Sequence, residues 1–119
     1  AEGLIKAIEQ IDNLKKEFDT NLFVPGEADT LNVELEKALR LEDFFTIGRL
    51  MAIDALHRNE SCGAHFREDQ TEDGEAQRRD DQYMYVSCWK YAGEGEKPIL
   101  LKEPLNYEAI KVQTRNYKS

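Results

Sequence analysis

"VELEKALRLEDFFTIGRLMAIDALHRN", residues 33–59, carries apolar side chains at helical spacing on more than one side. Leu35, Ala38 and Leu39 form a first patch. After Leu41-Glu42-Asp43 the pattern widens to Phe44, Phe45, Ile47, Leu50, Met51, Ile53, Ala55 and Leu56. Steps of three and four predict one long helix. Apolar residues around so much of its circumference require more than one neighbour to bury them. Asn32 is placed as its N-cap, where a side-chain oxygen can take a free amide of the first turn. Gly48 costs about 1 kcal/mol relative to Ala inside a helix, so a close helix–helix approach is expected there.

Upstream, Leu4, Ile8, Ile11, Leu14 and Phe18 recur at the same steps with Lys and Glu between them. This predicts an amphipathic helix over about 2–19 with a single buried stripe. Asp19-Thr20-Asn21 and Pro25-Gly26 end it. The stretch "FDTNLFVPGEADTLN" (18–32) reads as a loop with Leu22, Phe23 and Val24 against the helices. One long helix cannot cover both faces of its partner over 32–59, so the pattern implies a bundle with a helix missing. The chain opens on Ala1-Glu2-Gly3, already inside a helical pattern and without Met. A fragment of a longer protein is expected, although processing gives the same start.

Downstream the character changes. "QTEDGEAQRRDDQ" (70–82) lacks apolar periodicity and reads as a solvated loop. "YMYVSCWKY" and "PILLK", joined by "AGEGEK", predict a β-hairpin. "EPLNYEAIKVQTRNYKS" reads as an extended tail anchored by Tyr107, Ile110, Val112 and Tyr117. The expected fold class is therefore mainly α. An antiparallel, spectrin-like helical bundle that is short of a helix occupies 1–69. A charged loop, a small β-hairpin and an extended C-terminal tail of the same domain occupy 70–119.

Composition limits the function. The 119 residues suit one small domain, with 40% hydrophobic and 34% charged residues. A net charge of −8 argues against nucleic acid and against anionic lipid, both of which need clustered cations. No apolar run approaches the ~20 residues of a spanning helix. Two cysteines, Cys62 and Cys88, are too few for a disulfide scaffold and suit a reducing compartment.

The chemistry-bearing stretch is "RNESCGAHFREDQ" (58–70). Cys62, His65 and the upstream His57 have partial metal spacing, but a structural zinc site needs four ligands in paired clusters and Cys88 stands alone. Cys62 with His65, oriented by Glu60 or Asp69, could form a nucleophile, which requires an open, electropositive setting. Glu68 and Asp69 are adjacent acids in a charged loop, suited to solvation. The simplest reading is structural. Arg58 complements the dipole at the end of the long helix, Gly63 supplies its left-handed terminal residue, and Ser61, His65 and Arg67 satisfy carbonyls or pair with acids.

The same residues carry a resemblance. "HRNESCGAHFRED", with "LNVELEKALRLEDFFTIGRLMAIDAL" before it, resembles the C-terminal domain of the flavoprotein subunit of succinate dehydrogenase and fumarate reductase. L-aspartate oxidase shares a similar domain. The family signature Arg-x-Glu-Ser-Arg-Gly-Ala-His-x-Arg-x-Asp is matched at Arg58, Glu60, Ser61, Gly63, Ala64, His65, Arg67 and Asp69. It is departed from at Cys62, where the family usually has Arg. "RRDDQYMYVSCWKY" and "IKVQTRNY", with Arg115 and Tyr117, are similar to the family's later strands, and "EGLIKAIEQIDNLKKEF" to one of its helices.

The resemblance implies a piece of an FAD-dependent oxidoreductase that interconverts succinate and fumarate by hydride transfer. It also implies partners: the FAD-binding and capping domains of the same chain, an iron–sulfur subunit that takes the electrons, and a membrane anchor. The full complex would be cytoplasmic, peripheral on the cytoplasmic face of the inner membrane. The family's flavin and substrate residues lie upstream, and this chain has no Gly-x-Gly-x-x-Gly. No catalytic, cofactor-binding or metal residue is therefore assigned within it. The isolated fragment is expected to hold no cofactor and to show no catalysis, and either to self-associate through the strip of Phe44, Ile47, Leu50 and Met51 or to be markedly less stable than a chain extended upstream. The alternatives are an L-aspartate oxidase domain or a stand-alone acidic helical interaction module.

Overall fold

The computed structural model describes residues 1–113, and its contacts divide the chain into two compact units that separate between His57 and Arg58. The first contains α1 (Glu2–Asn21) and α2 (Val33–His57). Asn32 caps α2 as expected: its Oδ1 accepts the Leu35 amide at 3.0 Å, while its Nδ2 donates to the Pro25 carbonyl at 3.0 Å. One side chain thus ends the loop and starts the helix.

The helices pack antiparallel, as the cross-helix pairs show. Arg49 grips Asp12 with two hydrogen bonds, of 2.6 and 3.3 Å. Lys15 lies 3.5 Å from Glu42. Phe18 meets Phe45 edge to face at 5.4 Å between ring centres. Along α1 the stripe of Leu4, Ile8, Ile11 and Phe18 is half-buried, but Leu14 falls outside it and is exposed. A helix turns about 100° per residue, and Leu14 lies beyond the arc that faces α2. Of Leu22, Phe23 and Val24 in the connecting loop, Val24 is partly covered, and Leu22 and Phe23 are exposed.

Gly48 does not mark the close approach expected from the sequence. A Cβ placed there would meet only the tip of Ile11, at 3.9 Å, which is ordinary contact distance. Gly48→Ala is thus expected to raise stability by up to about 1 kcal/mol through helix propensity, read as a higher urea midpoint. A lower midpoint would show that the backbones need the missing Cβ.

The α2 surface retains the breadth of its sequence pattern. Ala38 and Ala52 are buried on it, and Leu50 is half-buried. Phe44, Ile47 and Met51 are 62%, 55% and 68% exposed. The single helical neighbour in this unit leaves that strip open, as two helices must.

The second unit begins at Arg58. Two short strands, β1 (Thr71–Glu72) and β2 (Glu75–Ala76), pair antiparallel around Asp73-Gly74. Both turn residues have positive φ, 51° and 79°, the requirement of a type I′ turn. This replaces the solvated loop expected over 70–82. Asp-Gly is the hairpin signal, but it lacks the flanking apolar alternation that reveals most hairpins. One helical turn, α3 (Asp80–Tyr83), follows.

The expected larger hairpin is present. β3 (Tyr85–Lys90) and β4 (Ile99–Pro104) pair from Tyr85↔Pro104 to Lys90↔Ile99, and Cys88 lies on β3 opposite Leu101. Tyr85, Ser87 and Trp89 turn to the covered face, and Val86 and Cys88 to solvent. In the tail Val112 is half-buried, but Tyr107 and Ile110 are exposed. Arg115 and Tyr117 lie outside the described residues. Among the described residues the architecture is thus mostly helical, with two antiparallel hairpins. Among the described residues no helix is long and apolar enough to cross a membrane.

Candidate functional site

Residues 58–69 contain three buried residues of the second unit, and all three are polar. Ser61 is fully inaccessible, Glu60 is 3% exposed and Arg67 7%. Polar groups buried this deeply need partners, and the segment folds so that each finds them.

Ser61 is the centre. Its Oγ accepts the Arg67 amide at 2.8 Å and donates to the Arg67 carbonyl at 3.1 Å. Its own amide reaches the Gln77 carbonyl at 2.8 Å. A hydroxyl is the smallest group able to donate and accept together, which suits Ser here. Between Ser61 and Arg67 the chain reverses. Cys62 and His65 exchange backbone hydrogen bonds of 2.8 and 3.1 Å around Gly63-Ala64.

Gly63 has φ of 58°, while Ala64 stays out of the left-handed region, the pattern of a type II′ turn. Its positive φ was anticipated, its role was not. α2 ends at His57, so Gly63 makes this turn instead of capping the helix. A Cβ on Gly63 would have open space, leaving backbone strain as the only obstacle. Gly63→Val is expected to cost about 1–3 kcal/mol on that ground, measured by denaturant unfolding. A change below about 0.5 kcal/mol would show that the turn relaxes freely.

The arginines close the structure. Arg67 holds Asp69 with Nε at 2.9 Å and Nη2 at 2.6 Å. Its Nη1 donates to Asn59 Oδ1 at 2.8 Å and to the Arg58 carbonyl at 3.4 Å. His65 Nε2 meets that carbonyl at 2.9 Å. A carbonyl only accepts, so Nε2 carries the proton. Arg58 donates through Nη2 to the carbonyls of Tyr83, at 2.6 Å, and Tyr85, at 3.2 Å. Its guanidinium lies over both tyrosine rings, 5.9 and 5.7 Å from their centres. Lys102 Nζ stands 4.5 Å from the Tyr85 ring centre.

Glu60 bridges inward. Oε2 accepts the Arg79 amide at 2.9 Å. Oε1 is 3.2 Å from Arg58 Nε, although that N–H does not point at it, so the contact is an ion pair without a hydrogen bond. Arg78 clasps Asp80 through two hydrogen bonds, at 2.9 and 2.5 Å, and donates to the Gln113 carbonyl at 2.9 Å.

Of the residues singled out in the sequence, Arg58, Glu60, Ser61, Gly63, His65, Arg67 and Asp69 come together in this lock. Ala64 completes the turn. Cys62 joins through its backbone, with its thiol exposed. Asn59, Arg79 and the carbonyls of Tyr83 and Tyr85 escaped sequence reasoning. Backbone acceptors leave no mark on side-chain pattern, and "RRDD" (78–81), although part of the resemblance, does not show by its spacing that the Arg79 amide meets Glu60.

His65 Nε2 donates to the Arg58 carbonyl, which fixes the ring within the segment and leaves Nδ1 as its acceptor. Among the described residues no three His, Cys, Asp or Glu side chains converge as metal ligands. The arrangement ties the start of the unit to its hairpins.

Hydrogen bonds from Arg67 hold the Asp69 carboxyl well below the usual carboxylate range. A folded value below the unfolded one, about 4, gives stability that is present above pH 4 and lost as pH falls toward the lower folded value. The destabilisation caused by Asp69→Asn is therefore expected to be larger at pH 7 than at about pH 3, by urea midpoints. Equal effects at both would mean that the ion pair contributes nothing.

Comparison with known proteins agrees with this signature. The family described as fumarate reductase flavoprotein C-term matches residues 1–117, nearly the whole chain. The chain belongs to that family. A segment of 68 residues is 38% identical to an uncharacterized FAD-dependent oxidoreductase of Methanocaldococcus jannaschii. That segment is 57% of this chain and 12% of that protein, so the similarity spans a small part of the relative. No solved structure matches the chain.

As a member of this flavoprotein family, the chain invites the question of whether its own residues fit a flavin. They do not. A pyrophosphate needs uncommitted donors, and the guanidiniums of Arg67 and Arg78 are each closed on a carboxylate, with Arg58 turned to backbone carbonyls. The Gly-rich turn of a phosphate cradle does not occur in the sequence. No step through FAD is derived from these residues.

Proposed function

We propose that the chain is the C-terminal domain of a flavoprotein subunit that interconverts succinate and fumarate by FAD-dependent hydride transfer and passes electrons to an iron–sulfur subunit. The observation that carries this reading is the family match over residues 1–117. The named relative, an FAD-dependent oxidoreductase, supports the flavin. In this reading the FAD-binding and capping domains belong to the same polypeptide, and a membrane anchor holds the complex at the cytoplasmic face of the inner membrane. The polar lock of residues 58–69 fixes the shape of the domain and takes no part in the chemistry.

The test uses the protein expressed from its natural reading frame. Bound FAD, succinate-dependent reduction of an artificial electron acceptor and fumarate-dependent oxidation of a reduced dye are expected. A protein without flavin overturns the proposal. A flavin reduced by L-aspartate and not by succinate overturns the choice of substrate. The 119-residue chain, titrated with FAD and followed by flavin fluorescence, is expected to show no saturable binding.

A further inference from the structure

We draw no further inference here: the strongest candidate, the exposed apolar strip of Phe44, Ile47 and Met51 along α2, carries nothing because nothing in the structure shows what covers it.

Discussion

Glu60→Ala is expected to destabilise the second unit by about 3 kcal/mol. Truncation leaves the Arg58 guanidinium without its carboxylate and the Arg79 amide without its acceptor. Removing one partner of a buried ion pair costs roughly 3–5 kcal/mol, because the other charge remains in a poorly solvated place. The Arg58 side chain is still 25% exposed, so water recovers part of the loss and the lower end applies. Glu60→Gln keeps an oxygen for the Arg79 amide and gives up only the charge, and should lose about half as much. Urea unfolding followed by near-ultraviolet signals of Trp89 and the tyrosines measures both. A midpoint for Glu60→Ala within about 0.5 kcal/mol of the parent would show that Glu60 holds nothing together.

Ser61→Ala is the second large effect, about 2–3 kcal/mol. The substitution removes little volume, so packing is not the reason. Two hydrogen bonds to Arg67 vanish together, and with Ser61 fully inaccessible no water can replace them. Each buried group left unsatisfied costs roughly 1–3 kcal/mol. Glu60 and Ser61 are neighbours in one network, so the double variant should lose less than the sum of the single losses. Full additivity would separate the two residues into independent contacts.

Both helices were legible because long periodic patterns survive local noise. The Leu4–Phe18 stripe and the broad apolar surface of 33–57 reappear as one half-buried face on α1 and an α2 that leaves Phe44, Ile47 and Met51 open. Asn32 was legible too, since an N-cap is read from one side chain and its immediate sequence. The larger hairpin followed from aromatic and β-branched runs on either side of a Gly-rich turn.

The failures have a common cause. Leu14 was placed inward by helical spacing and Tyr107 and Ile110 by apolarity, but apolar residues also populate surfaces, and only three-dimensional neighbours decide which do. Asp73-Gly74 makes a hairpin whose strands are two residues long, too short for alternation to register. At the candidate site the residue set was readable and the geometry was not. Arg58 reaches carbonyls 25 and 27 residues away, and Glu60 an amide 19 residues away. Such partners follow from the fold and not from spacing. Gly63 shows the difference clearly: its conformation was predictable from its residue type, whereas the structure it serves was not.

Amide hydrogen exchange tests most directly whether residues 58–69 form a closed lock. Four amides carry the decision: Ser61, bonded to the Gln77 carbonyl; Cys62, to the His65 carbonyl; Arg67, to Ser61 Oγ; and Arg79, to Glu60 Oε2. They are expected to exchange slowly and together, at rates close to those of the β3–β4 pairing, and to lose that protection jointly in Glu60→Ala and Ser61→Ala. Exchange at the rate of an unstructured loop, while β3 and β4 stay protected, would contradict the lock.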